Sequence, residues 1–543
     1  MEVASTVFPI LYRIGIAFAI TVGSFFVFAG AFITGRPMLM AAAGLMPLAG
    51  IVAWNQPFLV SSLFVTFSYF RLQEAYPFVS SLKPALVLGA ASIGLVALKA
   101  LLSTDREVAD SRLLRVFCLL SLIGVVALAY PHAVLRAGGG SGTDVVAIPA
   151  VMLGASFCAL VWTKLLSSTA EAPLPINLWL FTAYFVWLSI TTIVSLVPSD
   201  SYSMWMNNPW KIAAMTLAIS WLARSSRDFL LSSSIFILGG ALVAAVVIYN
   251  KIYSLSLVNG TRVTIGRITI EEGVQLDSAT QYALEQGKIL NDPNDLALIL
   301  LFPLAFALAR VVCRRGLMDA VLSAGMSGII LLSIVFTQSR GALLGVVAVI
   351  GVLFLQRFKM ALPALLAVMV AAPLIFSAMN FSSRDHSGVS QALQGELEDS
   401  AAHRIEAWKT AINMVMDRPI TGIGPGNFNE FYRTYTNYWR SREMSAHSMW
   451  FQVLAELGIV GLGLFVAMIA TSFMVNARSL SILQSTNAPA SLRATGIALQ
   501  SALAGTCVSG TFLSQAHTWP VYVIVGLIAA LYNLAQNRST LSK

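Results

Sequence analysis

Runs of about 17–25 apolar residues, each long enough to cross a bilayer as an α-helix, recur along nearly the whole chain. This feature limits the fold more than any other. Hydrocarbon tolerates only structures that satisfy every backbone N–H and C=O internally. The alternating segments of a membrane β-barrel, about ten residues each, are absent. The expected fold is therefore all-α, a polytopic transmembrane helical bundle. Candidate spans lie at 10–34, 38–53, 57–70, 82–102, 113–131, 145–166, 176–197, 209–223, 229–250, 293–313, 317–336, 341–356, 360–378, 447–476, 491–513 and 518–536. Three are short, so the expected count is about 14, within about 12–16. Only 11% of the 543 residues are charged and 57% are hydrophobic, where a soluble domain has about a quarter charged.

Charge asymmetry orients the bundle. The net charge of +9 reads first as cytoplasmic-loop bias. "ARVVCRRG" (309–316) carries Arg310, Arg314 and Arg315 without an acid, and "QRFK" (356–359) is basic too. Two spans separate them, so both fall on the cytoplasmic side. Arg224, Arg227, Arg478 and the tail with Arg538 and Lys543 join them by the same alternation. The "TQSRG" turn, the 251–292 loop, the 379–446 loop and the "SQAH" turn before Trp519 then face the opposite side.

The expected organisation follows: N-terminal transmembrane helices over 1–250, a periplasmic loop over 251–292, and central transmembrane helices over 293–378. A large periplasmic loop occupies 379–446, and C-terminal transmembrane helices 447–543. No basic run with interleaved aromatics points to nucleic acid. Cys118, Cys158, Cys313 and Cys507 show no metal or disulfide spacing and read as small core hydrophobes. The N-terminus lacks a secretory signal's short apolar region and small-residue cleavage site, so the first span is expected to stay.

The two long outer loops carry the polar chemistry. "RVTIGRITI" alternates around Gly266 as a small β-hairpin would. "NDPNDLALIL" reads as a helix start, with Asp292 capping and Pro293 in the first turn; the alternative is an acidic metal loop. Residues 382–400 are polar and acidic, and are expected to be mobile. In "AHRIEAWKTAINMVMDRP", Ile405, Trp408, Ile412, Val415 and Met416 share a helical face that Pro419 terminates. "TGIGPGNF" allows a close backbone approach to a ligand or another helix. It follows no strand and carries no Walker lysine, which excludes a nucleotide loop. "FNEFYRTYTNYWR" sets Phe428, Phe431, Tyr432, Tyr435, Tyr438 and Trp439 at helical spacing, as an interfacial belt or loop packing, or as a stacking platform for sugars. Within these stretches Trp408, Tyr435 and Trp439 are the aromatic candidates for substrate binding.

Arg340 interrupts an apolar stretch, which is costly unless the charge is paired, hydrated or snorkelling. With Arg404 and His447 it comes from separate stretches that the topology puts on one face. Guanidinium forks match phosphate oxygens, and a histidine can accept a hydroxyl proton. The set suits displacement of a diphosphate by an acceptor hydroxyl.

These residues also carry a resemblance. "QSRGALLG", "HRIEAWKTAINMVMDRPITGIGPGNF" and "AHSMWFQVLAELGIVGL", with "NDPNDLA" upstream, resemble the core of the O-antigen ligase and Wzy-type polymerase superfamily over roughly residues 290–475. The chain differs at Ser448, where the family has Asn, and in its additional N-terminal spans. The resemblance implies a GT-C-type glycosyltransferase of the bacterial inner membrane with its active site facing the periplasm. It implies an undecaprenyl diphosphate-linked oligosaccharide donor, a glycan, lipid A-core or protein acceptor, membrane lipids as surroundings, and no cofactor or metal. Arg340 and Arg404 match the family's functional arginines, expected on the diphosphate. His447 matches its functional histidine, expected near the acceptor hydroxyl or the phosphate. The expected reaction is a single displacement with inversion.

Within the family, a polymerase joining lipid-linked repeat units is the alternative to a ligase. From other classes come a polysaccharide or lipid transporter or flippase, and a catalytically silent assembly protein. A transporter would favour broken or charged mid-membrane helices and repeated halves. No clear repeat is visible, although Glu456 lies on a span and is a candidate relay.

Overall fold

The computed structural model describes residues 175–223, 225–253, 293–313, 316–337, 339–358, 392–437 and 445–541, together with 52–53, 55–70 and a few positions between 84 and 95. The candidate spans at 10–34, 38–53, 82–102, 113–131, 145–166 and 360–378 lie wholly or largely outside these, as do the 251–292 hairpin, Cys118 and Cys158.

The described helices are α1 (Pro57–Tyr69), α2 (Ile176–Ile193), α3 (Pro198–Asn207), α4 (Pro209–Leu222), α5 (Ser226–Tyr253), α6 (Pro293–Cys313) and α7 (Leu317–Phe336). They continue with α8 (Arg340–Phe358), α9 (Ala392–Asp417), α10 (Phe428–Tyr435), α11 (Met449–Ser485), α12 (Ala490–Gly510) and α13 (Trp519–Leu541). No strand occurs among the described residues. Six of the described helices (α2, α5, α6, α7, α11 and α13) contain stretches long and apolar enough to cross a bilayer, and α1 and α8 are shorter apolar helices. The protein is an all-α, multi-pass membrane bundle.

Its centre is α6. Every residue from Leu296 to Ala307 is buried, as expected of a helix apolar on all sides. Pro303 sits mid-helix with its ring against Gly240 of α5, where an added Cβ would lie 2.4 Å from the ring. α6 packs on α5, α7, α8 and α12. α8 and α12 approach closely through Gly345 and Gly505, whose missing side chains leave room for Leu301 of α6 and Val349 of α8. Small residues are how membrane helices gain contact without a hydrophobic driving force. Amides add polar ties: Asn177 donates to Ser472 Oγ (3.3 Å) and Asn476 to Gly496 O (2.8 Å).

One end of the bundle is basic. Arg310 donates to Ser233 Oγ, Ser234 Oγ (2.8 Å) and Leu230 O (3.0 Å), and lies 3.7 Å from Asp319. Arg538 donates to Ser226 Oγ at 3.0 Å. The start of α5, the ends of α6 and α13 and the start of α7 therefore meet there, as the alternation of basic loops required.

At the opposite end α11 is broken. Gly458 has φ 69° and ψ −170°, a conformation essentially confined to glycine. An added Cβ would lie 2.2 Å from Ile420 O. The break releases backbone groups that the 418–426 loop takes up. Ile423 N donates to Ala455 O, Gly424 N to Glu456 O (both 3.0 Å), and Ile459 N to Pro419 O (2.9 Å). Trp187 of α2 donates to Leu457 O at 2.9 Å. Gly422 and Gly424 adopt φ of 66° and 104° and press against α11 and the α2–α3 junction. The glycine-rich turn thus approaches helices, one of the two uses expected for it.

The break also divides α11. The nineteen residues Ile459–Ala477 span about 28 Å, close to the hydrocarbon thickness of about 30 Å, and Arg478 follows immediately. Glu456 lies on the short side of the break, in Met449–Leu457.

Candidate functional site

The segment Thr511–Thr518, between α12 and α13, is the hub of the glycine-break end. Thr511 Oγ1 accepts from Trp450 Nε1 (3.0 Å), Ser514 Oγ accepts from His447 N (2.8 Å), and Gln515 Nε2 donates to Asp295 Oδ1 (2.6 Å). Ala516 N donates to Gln452 Oε1 (3.3 Å) and Tyr522 Oη to Ala516 O. Beneath it, Tyr522, Phe185, Tyr184 and Phe465 form an aromatic cluster with centroids 5.2–6.4 Å apart. Asp295, read from the sequence as part of a helix start, lies in the first turn of α6 and holds this segment.

Arg340 opens α8. Ser339 caps that helix, its Oγ accepting from Ala342 N at 3.3 Å. Gly341 lies against Phe512, where an added Cβ would make ordinary contact at 3.5 Å. Arg404 on α9 holds its guanidinium 5.8 Å above the Phe512 ring. His447 has φ 45° and binds Ser514 through its N–H, while its ring lies 3.3 Å from Ser445 Oγ. Arg404 and His447 therefore border Phe512 and Ser514, and Arg340 adjoins them through its neighbour Gly341. Ser448, in the family's Asn position, buries its hydroxyl without a hydrogen bond among the described residues, so the hydroxyl does not take up an amide's bonds there.

The aromatic candidates separate. Trp408, one turn after Arg404, stacks on Phe451 with centroids 5.1 Å apart and planes 10° apart, clamping α9 to the first turn of α11. Tyr435 donates to Asp417 Oδ2 at 2.6 Å, thirteen residues past Arg404 along α9, or about 20 Å. It is not gathered with the arginines. Burial and this bond raise its hydroxyl above the usual tyrosine range. Phe428 and Tyr432 are buried as loop packing, and α10 ends at Tyr435; Tyr438 and Trp439 lie outside the described residues.

α9 begins at Ala392, so the later part of the acidic 382–400 stretch is helical, and this helix corrects one expectation. Its packed side is Ala407, Thr410, Ala411 and Met414, whereas Ile405, Ile412 and Met416 of the expected apolar face are exposed. Their neighbours include Ile420, and through the Pro419–Ile459 and Arg418–Val194 contacts this edge continues onto exposed apolar residues of α2 and α11.

Sequence reasoning missed His517. Its Nε2 lies 2.7 Å from Glu456 Oε2, with side chains 5% and 1% exposed. Both line a cavity of about 500 Å³ that Ser445 and Ser514 also border. The signal was present: His517 is one of five histidines, at a span end on the same face as Glu456.

Residues 325–466 match the O-antigen ligase family. This domain supports the ligase and Wzy-type superfamily that the motifs resemble, a family of glycan-transferring membrane enzymes. It takes in Arg340, Arg404, His447 and Glu456 and ends before His517. No curated protein matches the chain.

Proposed function

We propose that the protein is a membrane glycosyltransferase that moves a glycan from undecaprenyl diphosphate to an acceptor hydroxyl, ligase-like, at the periplasmic face of the inner membrane. The observation that carries this reading is that Arg404, His447 and Gly341, the neighbour of Arg340, all meet the Phe512–Ser514 turn. Two guanidiniums at a helix start and above an aromatic ring fit the charge that grows on a departing diphosphate. The acceptor oxygen forms a bond to the anomeric carbon as the carbon–phosphate oxygen bond breaks, and His447 takes the acceptor proton. The electron pair leaves with the diphosphate and the anomeric configuration inverts.

The test is transfer by purified protein in liposomes carrying an undecaprenyl diphosphate-linked oligosaccharide, with excess EDTA. A single transfer to an added lipid or protein acceptor identifies a ligase, and a product ladder a polymerase. Loss of product in Arg340→Ala and His447→Ala, with the fold intact, supports the site. Flipping of the donor without transfer would overturn the reading in favour of a transporter.

A further inference from the structure

The turn that gathers the arginines also forms the wall of a second, chemically different compartment. The 500 Å³ cavity lies between the end of α3, the start of α10, the first turns of α11 and the turn before α13, within the size range of small-molecule sites. Its lining is neutral and hydrogen-bonding, with Asn207, Asn429, Gln452, Ser514 and Thr518 around the buried Glu456–His517 pair. No arginine or lysine lines it among the described residues, so no described cation there would neutralise a diphosphate. Amides, hydroxyls and one carboxylate are instead the groups that hold sugar hydroxyls.

The floor is built and incompletely used. Glu456 engages His517 through Oε2, and His517 Nδ1 has no hydrogen bond among the described residues although the side chain is about nineteen-twentieths buried. Buried polar atoms of this kind call for a partner. Glu456 is held here because the Gly458 break ties its carbonyl to Gly424 N at 3.0 Å. His517 is held by the same turn that carries Phe512.

We propose that this cavity binds a neutral sugar of the acceptor glycan through its hydroxyls, with Glu456 and His517 as its floor. The inference rests on the glycan-transfer reading and deepens it: Phe512 faces the donor's charge and His517 the acceptor's hydroxyls, five residues apart on one turn. The acceptor is thereby selected by hydroxyl pattern and not by charge.

The experiment is saturation-transfer NMR on the purified full-length protein with the methyl glycosides of glucose, galactose, mannose and N-acetylglucosamine. Farnesyl diphosphate serves as a separate probe of the arginines. At least one glycoside is expected to bind, to weaken by about tenfold in Glu456→Gln and to be lost in Asn207→Trp, which fills the cavity from an exposed position. Farnesyl diphosphate binding stays unchanged in both variants and falls in Arg340→Ala. Glycoside binding that survives Asn207→Trp, or no glycoside binding in a protein that still transfers glycan, overturns the pocket and leaves the transfer reading standing. The expected glycoside pattern in a protein that neither holds the diphosphate nor transfers glycan sinks the transfer reading and leaves the pocket.

Discussion

Arginine is put to two uses at the two ends of this bundle. At the basic end Arg310 is absorbed by the fold, spread over Ser233, Ser234, Leu230 and Asp319. At the other end Arg340 stands at the start of a capped helix and Arg404 above Phe512, both beside a turn whose own hydrogen bonds are made elsewhere. The first arrangement closes a helix junction. On the transfer reading, the second would meet a ligand's charge.

The sharpest way to break that contrast is to truncate at both ends. Arg340→Ala and Arg404→Ala are each expected to cut transfer by about 10²–10³-fold, the usual effect of losing one donor to a developing anion, with thermal stability near wild type. Arg340→Lys fails as well, because an ammonium does not reproduce a guanidinium fork. Arg310→Ala does the reverse: it costs about 1.5–3 kcal/mol of stability and leaves transfer within a few-fold. Thermal unfolding and initial transfer rates on the same preparations decide it. Equal losses of rate at both ends would erase the distinction.

Gly458→Ala tests what holds the site end in shape. The backbone conformation alone should cost roughly 1–3 kcal/mol in any other residue, and the 2.2 Å approach to Ile420 O adds to it. Gly463, on the same helix with open space around it, is the control; alanine there is expected to be neutral or slightly stabilising. A Gly458→Ala protein with wild-type melting would mean that the break is not needed.

The two variants also mark where sequence and structure part. Spans were readable because a bilayer demands long apolar helices, and the described helices fall on the stretches at 57–70, 293–313 and 317–336 almost to the residue. Arg340, Arg404 and His447 were picked out together through linear elements in order. Two kinds of fact were hidden. Gly458 looks like any glycine in "AELGIVGL", and only its contact with the distant 418–426 loop turns it into a helix break. His517 lies seventy residues after His447, so its pairing with Glu456 is a product of helix packing. The exposed side of α9 misled for a related reason: periodicity finds an apolar face, but beside a membrane that face need not turn toward protein.

A smaller effect sharpens the role of the Trp408–Phe451 stack in keeping Arg404 near the turn. Trp408→Leu is expected to cost about 0.5–1.5 kcal/mol beyond lost area. It should weaken farnesyl diphosphate binding without changing sugar binding. A loss of both would mean that the stack supports the whole end of the bundle and not the arginine side alone.

The smallest expected effect lies beside the cavity, where Asp200 of α3 meets Glu430 of α10. The hydrogen bond with Asp200, then burial and the like charge, raise Glu430 above the usual carboxylate range, so the folded protein holds this proton more tightly than the unfolded chain does. The contribution is therefore fully present below the unfolded carboxyl value and fades as pH rises through the raised one. In Glu430→Gln an amide donates to Asp200 at every pH. The difference in melting temperature between wild type and variant should be near zero at about pH 4 and open in the variant's favour toward about pH 8. Because Glu430 is exposed, the gap should be small and should shrink with salt. A gap that instead widens toward acid would show that the two carboxylates do not share a proton, and the contact between α3 and α10 would then owe nothing to this pair.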